Sequence, residues 1–358
     1  MKLIELHILQ SFPVSCLNRD DTGAPKTATF GGVPRARLSS QCLKRAIRTY
    51  ARDNLPNARF HGQRTKLIVG PLTKALKEHG LADETAAQHA VNIADKLAKL
   101  DARSGKGGEE PQVGTLIFLA PAEIDGIARQ VAQLLKGDAG SKAYEKELDR
   151  FCKEAGLLDG ADIALFGRMA ASLPSLTLEG AAMFSHALST HRVENDLDFY
   201  SAVDDLKPKG EEAGAGMIGT LEFNSAVYYR YAAVNLSLLE DADHLGRLTA
   251  TERRQVVEAL IQATLLAVPG ARKNSMNAHT LPPFALGTYK RAGQPLQLVN
   301  AFEDPVRPRN GLVAESKARL LEHYGSLKET WGITCDGEAT IPESNVKEFI
   351  ERLVSYVQ

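Results

Sequence analysis

Ile4, Leu6 and Ile8 alternate with Glu5 and His7 at the start of the chain, a period of two that predicts a strand with one face in a core and one in water. Residues 15–26 are dense in turn formers and predict a loop. From Ser39 or Ser40, favoured N-cap residues, Leu43, Ile47, Tyr50 and Ala51 recur at helical spacing and predict an amphipathic helix. Between about Pro71 and Leu158 the composition shifts to Ala, Leu, Lys and Glu, with helical patterns at Leu72–His79, Ala82–Leu100, Ala122–Leu135 and Ala143–Ala155. The polar loop Arg103–Glu110 interrupts them, and the whole stretch reads as a helical insertion. Strand character returns at Asp162–Phe166 and at Glu222–Tyr231, where aromatic and β-branched residues crowd together. Between them, Val193 to Thr220 includes Lys207–Gly216, too rich in glycine and charge to build a core, and predicts a projecting arm. Helices over Arg253–Ala267 and Asn345–Val357 complete an α+β plan without internal repeats.

Composition keeps that plan within a folded protein: of 358 residues, 44% are hydrophobic and 24% charged, ordinary proportions for a globular chain. Glu5 and His7 break the apolar run that a signal peptide would need, and no run of ~20 apolar residues offers a membrane span. Cys16, Cys42, Cys152 and Cys335 are scattered without a C-x-x-C pair, which argues against a zinc ribbon or a disulfide framework. A cytoplasmic protein without metal, cofactor or membrane partner is expected. Net charge changes the picture more. The total is −1, yet residues 1–66 hold 12 Lys or Arg against 4 Asp or Glu, leaving 31 against 40 for the remainder. Such asymmetry marks a local electrostatic footprint, the pattern of a nucleic-acid contact on an otherwise acidic body.

The footprint centres on the helix that starts at Ser40. Lys44, Arg48 and Arg52 are spaced by four and Arg45 joins them, with no acidic residue before Asp53 to form the pairs that a solvated face normally carries. Unpaired backbone N–H groups, the helix dipole, the hydroxyls of Ser39 and Ser40 and the Gln41 amide add a second attraction for anions. Phosphate binding is the favoured reading, against a merely solvated basic helix. Asp21-Thr22-Gly23 matches the short aspartic-protease signature, but its polar surroundings suit a surface turn. Asp20 or Asp21 could instead serve a metal-dependent nuclease acting on a bound phosphodiester. His186 and His191 lack further ligands at metal spacing and read as helix-surface or core residues. Met169, beside Arg168, is either a core filler or an apolar wedge between bases next to a phosphate-binding arginine. No Walker loop and no dinucleotide fingerprint follows a strand.

Ser15-Cys16-Leu17-Asn18-Arg19-Asp20-Asp21, Phe30-Gly31-Gly32, Arg35 to Ala46 and Asp162 to Ala170 together closely resemble the CasC family, the repeated backbone subunit of type I-E CRISPR Cascade. The resemblance continues through His191, Ala202 to Leu206, Gly219-Thr220, Glu222-Phe223, Tyr229 to Ala232, Val268 to Ala271 and Asn300 to Glu303, in order along nearly the whole chain. It implies a right-hand shape: an RRM-like (ferredoxin-like) palm at 1–56, 161–192 and 224–358, helical fingers at 57–160 and a β-type thumb at 193–223. It implies a non-catalytic protein that polymerises along the CRISPR RNA (crRNA), grips its phosphates without sequence preference, and displaces single nucleotides at intervals so that the others pair with target DNA. RNA contacts would fall on Asn18, Arg19, Lys26, Ser39, Ser40, Gln41, Lys44, Arg45, Arg48, Arg168 and the wedge Met169. Partners would be crRNA, the target DNA, further copies of the chain, and the large, small, 5′-handle-binding and repeat-endonuclease subunits of Cascade. Filament subunits of other CRISPR types cleave RNA from an aspartate in a similar loop, which keeps the nuclease alternative at Asp20 or Asp21 open.

Overall fold

The computed structural model describes every residue except 106, 108, 138–141, 203–216 and 308–310, and no side chain of 142, 143, 202, 217 or 218 is described. Arm residues Lys207–Gly216, and two residues of the loop Arg103–Glu110, therefore lie outside the described residues.

The predicted first strand, β1, runs from Leu3 to Ser15. After the loop, β2 (Thr27–Phe30) and β3 (Val33–Leu38) form a hairpin. Its two-residue turn is Gly31-Gly32, both at positive φ (59° and 74°), the conformation a primed turn demands and glycine adopts without strain. Helix α1 (Ser40–Asn54) begins where the sequence placed it and buries the predicted stripe of Leu43, Ile47 and Ala51. The insertion contains β4 (Gln63–Thr65), α2 (Val69–Glu78), α3 (Asp83–Ala98), β5 (Ile117–Leu119), α4 (Pro121–Lys136) and α5 (Lys142–Ala155). Its helices close on their own core, where Leu76, Ile93, Ile127, Tyr144 and Phe151 are buried.

Asp162–Phe166, expected as a strand, is instead the short helix α6 (Ala161–Phe166). All of Ala161 to Leu165 are buried; a run buried on every side carries no period, so its pattern cannot separate strand from helix. Then come β6 (Ala182–Phe184), β7 (Ala187–Ser189), β8 (Asp196–Ala202) and the 19-residue β9 (Met217–Asn235). The chain ends with α7 (Leu236–Leu239), α8 (Ala250–Leu266), β10 (Phe284–Lys290), α9 (Leu312–Trp331), β11 (Gly337–Ile341) and α10 (Val346–Val354).

The main sheet is antiparallel in every described pairing, in the order β11-β10-β1-β9-β7-β3-β2, with β6 and β8 also paired to β9. The protein is thus a mixed α/β fold built on β1. Ile4, Leu6 and Ile8 enter a core shared with α1, α8 and α10. The opposite face, predicted to meet water, is covered by α9 and the segment before it, with Leu9, Tyr231, Phe302, Leu320 and Tyr324 in a second core. Glu5 and His7 are therefore buried, and each has polar partners. Glu5 accepts from Tyr231 Oη at 2.8 Å and pairs with Lys290, while His7 Nδ1 lies 2.9 Å from Tyr229 Oη. Arg35, fully buried, donates to Ser189 O at 3.1 Å and Phe302 O at 2.8 Å, so one guanidinium joins β3, the end of β7 and the segment before α9.

The register divides β9 into two parts. Its C-terminal half pairs with β1 as far as Ser15↔Asn224, and its N-terminal half pairs only with β8, from Asp196↔Phe223 to Ala202↔Met217. The two-stranded extension shows Leu197 (64% exposed) and Phe199 (74%) to solvent.

Candidate nucleic-acid interface

The loop 18–26 and the first turn of α1 are built as one piece. Ser39 caps the helix by accepting from Cys42 N at 3.2 Å, and its own N–H donates to Asn18 Oδ1 at 2.8 Å. Asp20 Oδ1 accepts from Thr22 N, Thr22 Oγ1 and Ala24 N at 2.8–3.0 Å; the Thr22 hydroxyl above all holds its carboxyl below the usual range. Lys26 N closes the loop on Asn18 O at 2.8 Å. Asn18 and Ser39 thus spend polar atoms on the fold, while Arg19, Asp21, Gln41 and Arg45 are exposed and Lys26 and Ser40 half-buried.

Loop, helix and the turn after α8 enclose an open groove of about 1070 Å³. Arg19, Arg45 and Lys273 line it together with Asp20, Asp21 and Asp53. The opposing charges are not equivalent: Asp53 is paired with Arg52 at 2.9 Å and Asp20 turns into its own loop, whereas the three cations make no ion pair among the described residues. Among those residues no three His, Cys, Asp or Glu side chains gather as a metal site.

The cationic residues of α1 split between two flanks. Arg45 faces the groove, while Lys44 and Arg48 turn toward α6 and the insertion. Lys44 Nζ sits 5.8 Å from the Phe166 ring centre and 5.6 Å from that of Phe184. The Arg48 guanidinium lies 4.9 Å from the Phe118 ring, with Nε 3.7 Å from Asp162 Oδ2. Burial lowers both cations, and Arg64 nearby lowers them further, although Asp162 opposes the shift at Arg48. Burial in turn pushes Asp162 up to about 6.

Three residues beyond Phe166, Met169 stands 87% exposed, so it fills no core. Its neighbour Arg168 is turned inward. Arg168 Nη1 donates to both carboxylate oxygens of Glu123 at 2.8 and 3.0 Å and to Phe118 O at 3.1 Å, and Nε donates to Leu176 O at 2.7 Å. Little of this guanidinium is left for a ligand, unlike the phosphate contact expected there; it fastens the base of the Met169 loop to α4. His186 and His191 lie on no helix: His186, between β6 and β7, has Nδ1 3.0 Å from Arg37 Nη1, and His191, after β7, accepts from Val227 N.

Arg64, Phe118 and Lys273 escaped sequence reasoning. Arg64 follows His61-Gly62-Gln63 with no helical spacing, and only the β4–β5 ladder, which places it opposite Phe118, brings it to α1.

Against known proteins, the sequence profile described as CT1975-like protein matches residues 4–351. No curated protein sequence matches the chain. Among solved structures, a chain of a "CRISPR RNA-guided surveillance complex, pre-nicking" is 28% identical with a TM-score of 0.83, and one of a "CRISPR RNA-guided surveillance complex" is 25% identical with a TM-score of 0.70. Each match covers 99% of both chains.

Proposed function

Because the chain belongs to the CT1975-like protein family, we propose that it is the repeated, non-enzymatic backbone subunit of a type I-E CRISPR surveillance complex. In this reading copies stack head to tail along crRNA, a heterologous contact that the RNA length limits. Each copy holds RNA by its phosphates, since spacer sequence varies and the backbone does not. Target choice is then left to base pairing.

The hand shape is supported by strand order. β10-β1-β9 followed by β6 and β7, with α1 and α8 on one face, is the order of a βαββαβ, RRM-like palm. The helices α2–α5 would be fingers and the β8–β9 hairpin a thumb. The observation that carries the mechanism is Met169: a large apolar side chain 87% exposed, three residues along the chain from Phe166, whose ring Lys44 of α1 approaches, fits a wedge entering the base stack next to held phosphates. Arg19, Lys26, Ser40, Gln41, Arg45 and the N–H groups of that turn would supply the grip.

The expected result is that Lys44→Glu with Arg45→Glu weakens guide RNA binding by about tenfold or more, equally for unrelated spacers, because counterion release depends on phosphates alone. Met169→Ala should leave affinity within a few-fold and abolish the periodic fluorescence rise of 2-aminopurine guides. A loss confined to one spacer sequence would contradict the phosphate grip, and an unchanged fluorescence pattern would contradict the wedge.

A further inference from the structure

On the flank of α1 away from the groove, three cations converge on aromatic rings supplied by other elements. Lys44 lies over Phe166 and Phe184, and Arg48 and Arg64 both lie against Phe118, at 4.9 and 4.6 Å from the ring centre. Arg64 is held there because it pairs directly across the ladder with Phe118. The ring itself is 5% exposed.

Among the described residues one carboxylate opposes these charges. Among the described residues Lys44 and Arg64 make no ion pair, and Arg48 makes one, with Asp162. Asp162 is fully buried: Oδ1 accepts from Gly62 N at 3.1 Å, and Oδ2, 3.7 Å from Arg48 Nε, has no hydrogen-bond partner. Gly62 permits this closure. A Cβ there would stand 2.5 Å from the Phe118 ring and 2.7 Å from Asp162 Oδ1, so ring, carboxylate and β4 backbone meet only over a residue without a side chain. Gathering three cations around one acid costs Coulomb energy that an ordinary surface avoids by mixing signs. Guanidinium planes laid on a ring keep their N–H edges for a partner, the arrangement that suits phosphate oxygens.

We propose that Arg64 joins Lys44 and Arg48 in a second phosphodiester seat where α1 meets the insertion, with Asp162 as the positioning residue that orients Arg48. This rests on the nucleic-acid reading above and extends it to β4. A phosphodiester there belongs to the guide RNA or to the target strand paired with it, and the two offer the same chemistry.

The test uses the full chain in two arms, each titrated over a range of salt: guide RNA uptake by the protein, and target DNA uptake by the guide-loaded assembly. Arg64 is exposed, so Arg64→Gln should fold normally. It is expected to weaken one arm about fivefold or more and to lower that arm's salt slope by about 0.7, one single-strand phosphate contact; the arm affected names the strand. No change in either arm overturns the seat. Arg45→Gln, on the other flank, is the reference. If it weakens guide uptake while Arg64→Gln is silent, the seat alone fails; if the wild-type chain takes up no guide, both readings fail. Asp162→Asn keeps the oxygen that accepts from Gly62 and should weaken binding only while Arg48 is present. An equal effect in an Arg48→Gln background would make Asp162 merely structural.

Discussion

His7 lies fully buried beside Tyr229 and Tyr231, and burial, aided by the charge of Lys290, lowers its imidazole to about 3. The unfolded chain takes up that proton below about 6.5, so the stability tied to neutral His7 is complete above that pH and is lost as pH falls toward 3. Asp162 acts in the opposite sense: held up to about 6 in the fold by burial and near 4 when unfolded, it costs stability as pH rises from about 4 to about 6. His7 is shifted further, so urea midpoints should fall on acidification from pH 7 to pH 4.5, and Asp162→Asn should steepen the fall. Parallel curves for the two proteins would mean that Asp162 does not titrate in this window. At this scale the basic stripe of α1 was legible, since 3.6-residue spacing sorts side chains by face. Whether a side chain is free was not. Arg168 and Met169 are neighbours in sequence, yet one is tied to Glu123 and the other is exposed, a division made by residues about 45 positions away.

Between elements, the Arg168–Glu123 pair joins α4 to the loop that presents Met169. Both side chains are almost wholly buried, and Glu123 also accepts from Ala120 N at 2.9 Å at the helix start. Arg168→Met should therefore cost about 3–5 kcal/mol, because it leaves a carboxylate buried without its partner, while adding Glu123→Leu should restore most of the loss. Equilibrium urea unfolding of the single and double variants measures this, and a double variant no more stable than Arg168→Met would refute the account. Helices α1 to α5 and α10 were legible because each has one apolar face against a core. Among the elements that were not, α6 and β10 are buried on all sides, and in α9 the buried positions Ser316, Leu320 and Tyr324 are too few among charges to mark a stripe.

For the whole molecule, the β8–β9 extension is the part least tied to a core: β8 pairs only with β9, and Asp196 to Tyr200 are all exposed. Replacing residues 198–220 by a short turn should leave the thermal midpoint within a few degrees, since the described side chains it removes are exposed or half-buried. Under the proposed function it should also abolish multi-copy assembly on RNA, seen as single-copy species by native mass spectrometry; unchanged stoichiometry would remove the arm from assembly. No described helix is long and apolar enough to cross a membrane. What the sequence determined by itself is what short-range periodicity, turn chemistry and local charge encode: a strand, a capped basic helix, a run of helices from α2 to α5 and an excess of cations before residue 67. Tertiary structure alone decided that β1 is buried on both faces, that Arg168 is consumed inside, and that Arg64 from the insertion meets Arg48 from α1 on one phenylalanine ring. Those outcomes depend on which distant segments pack together, and a one-dimensional pattern records the face a side chain takes, not the partner it finds there.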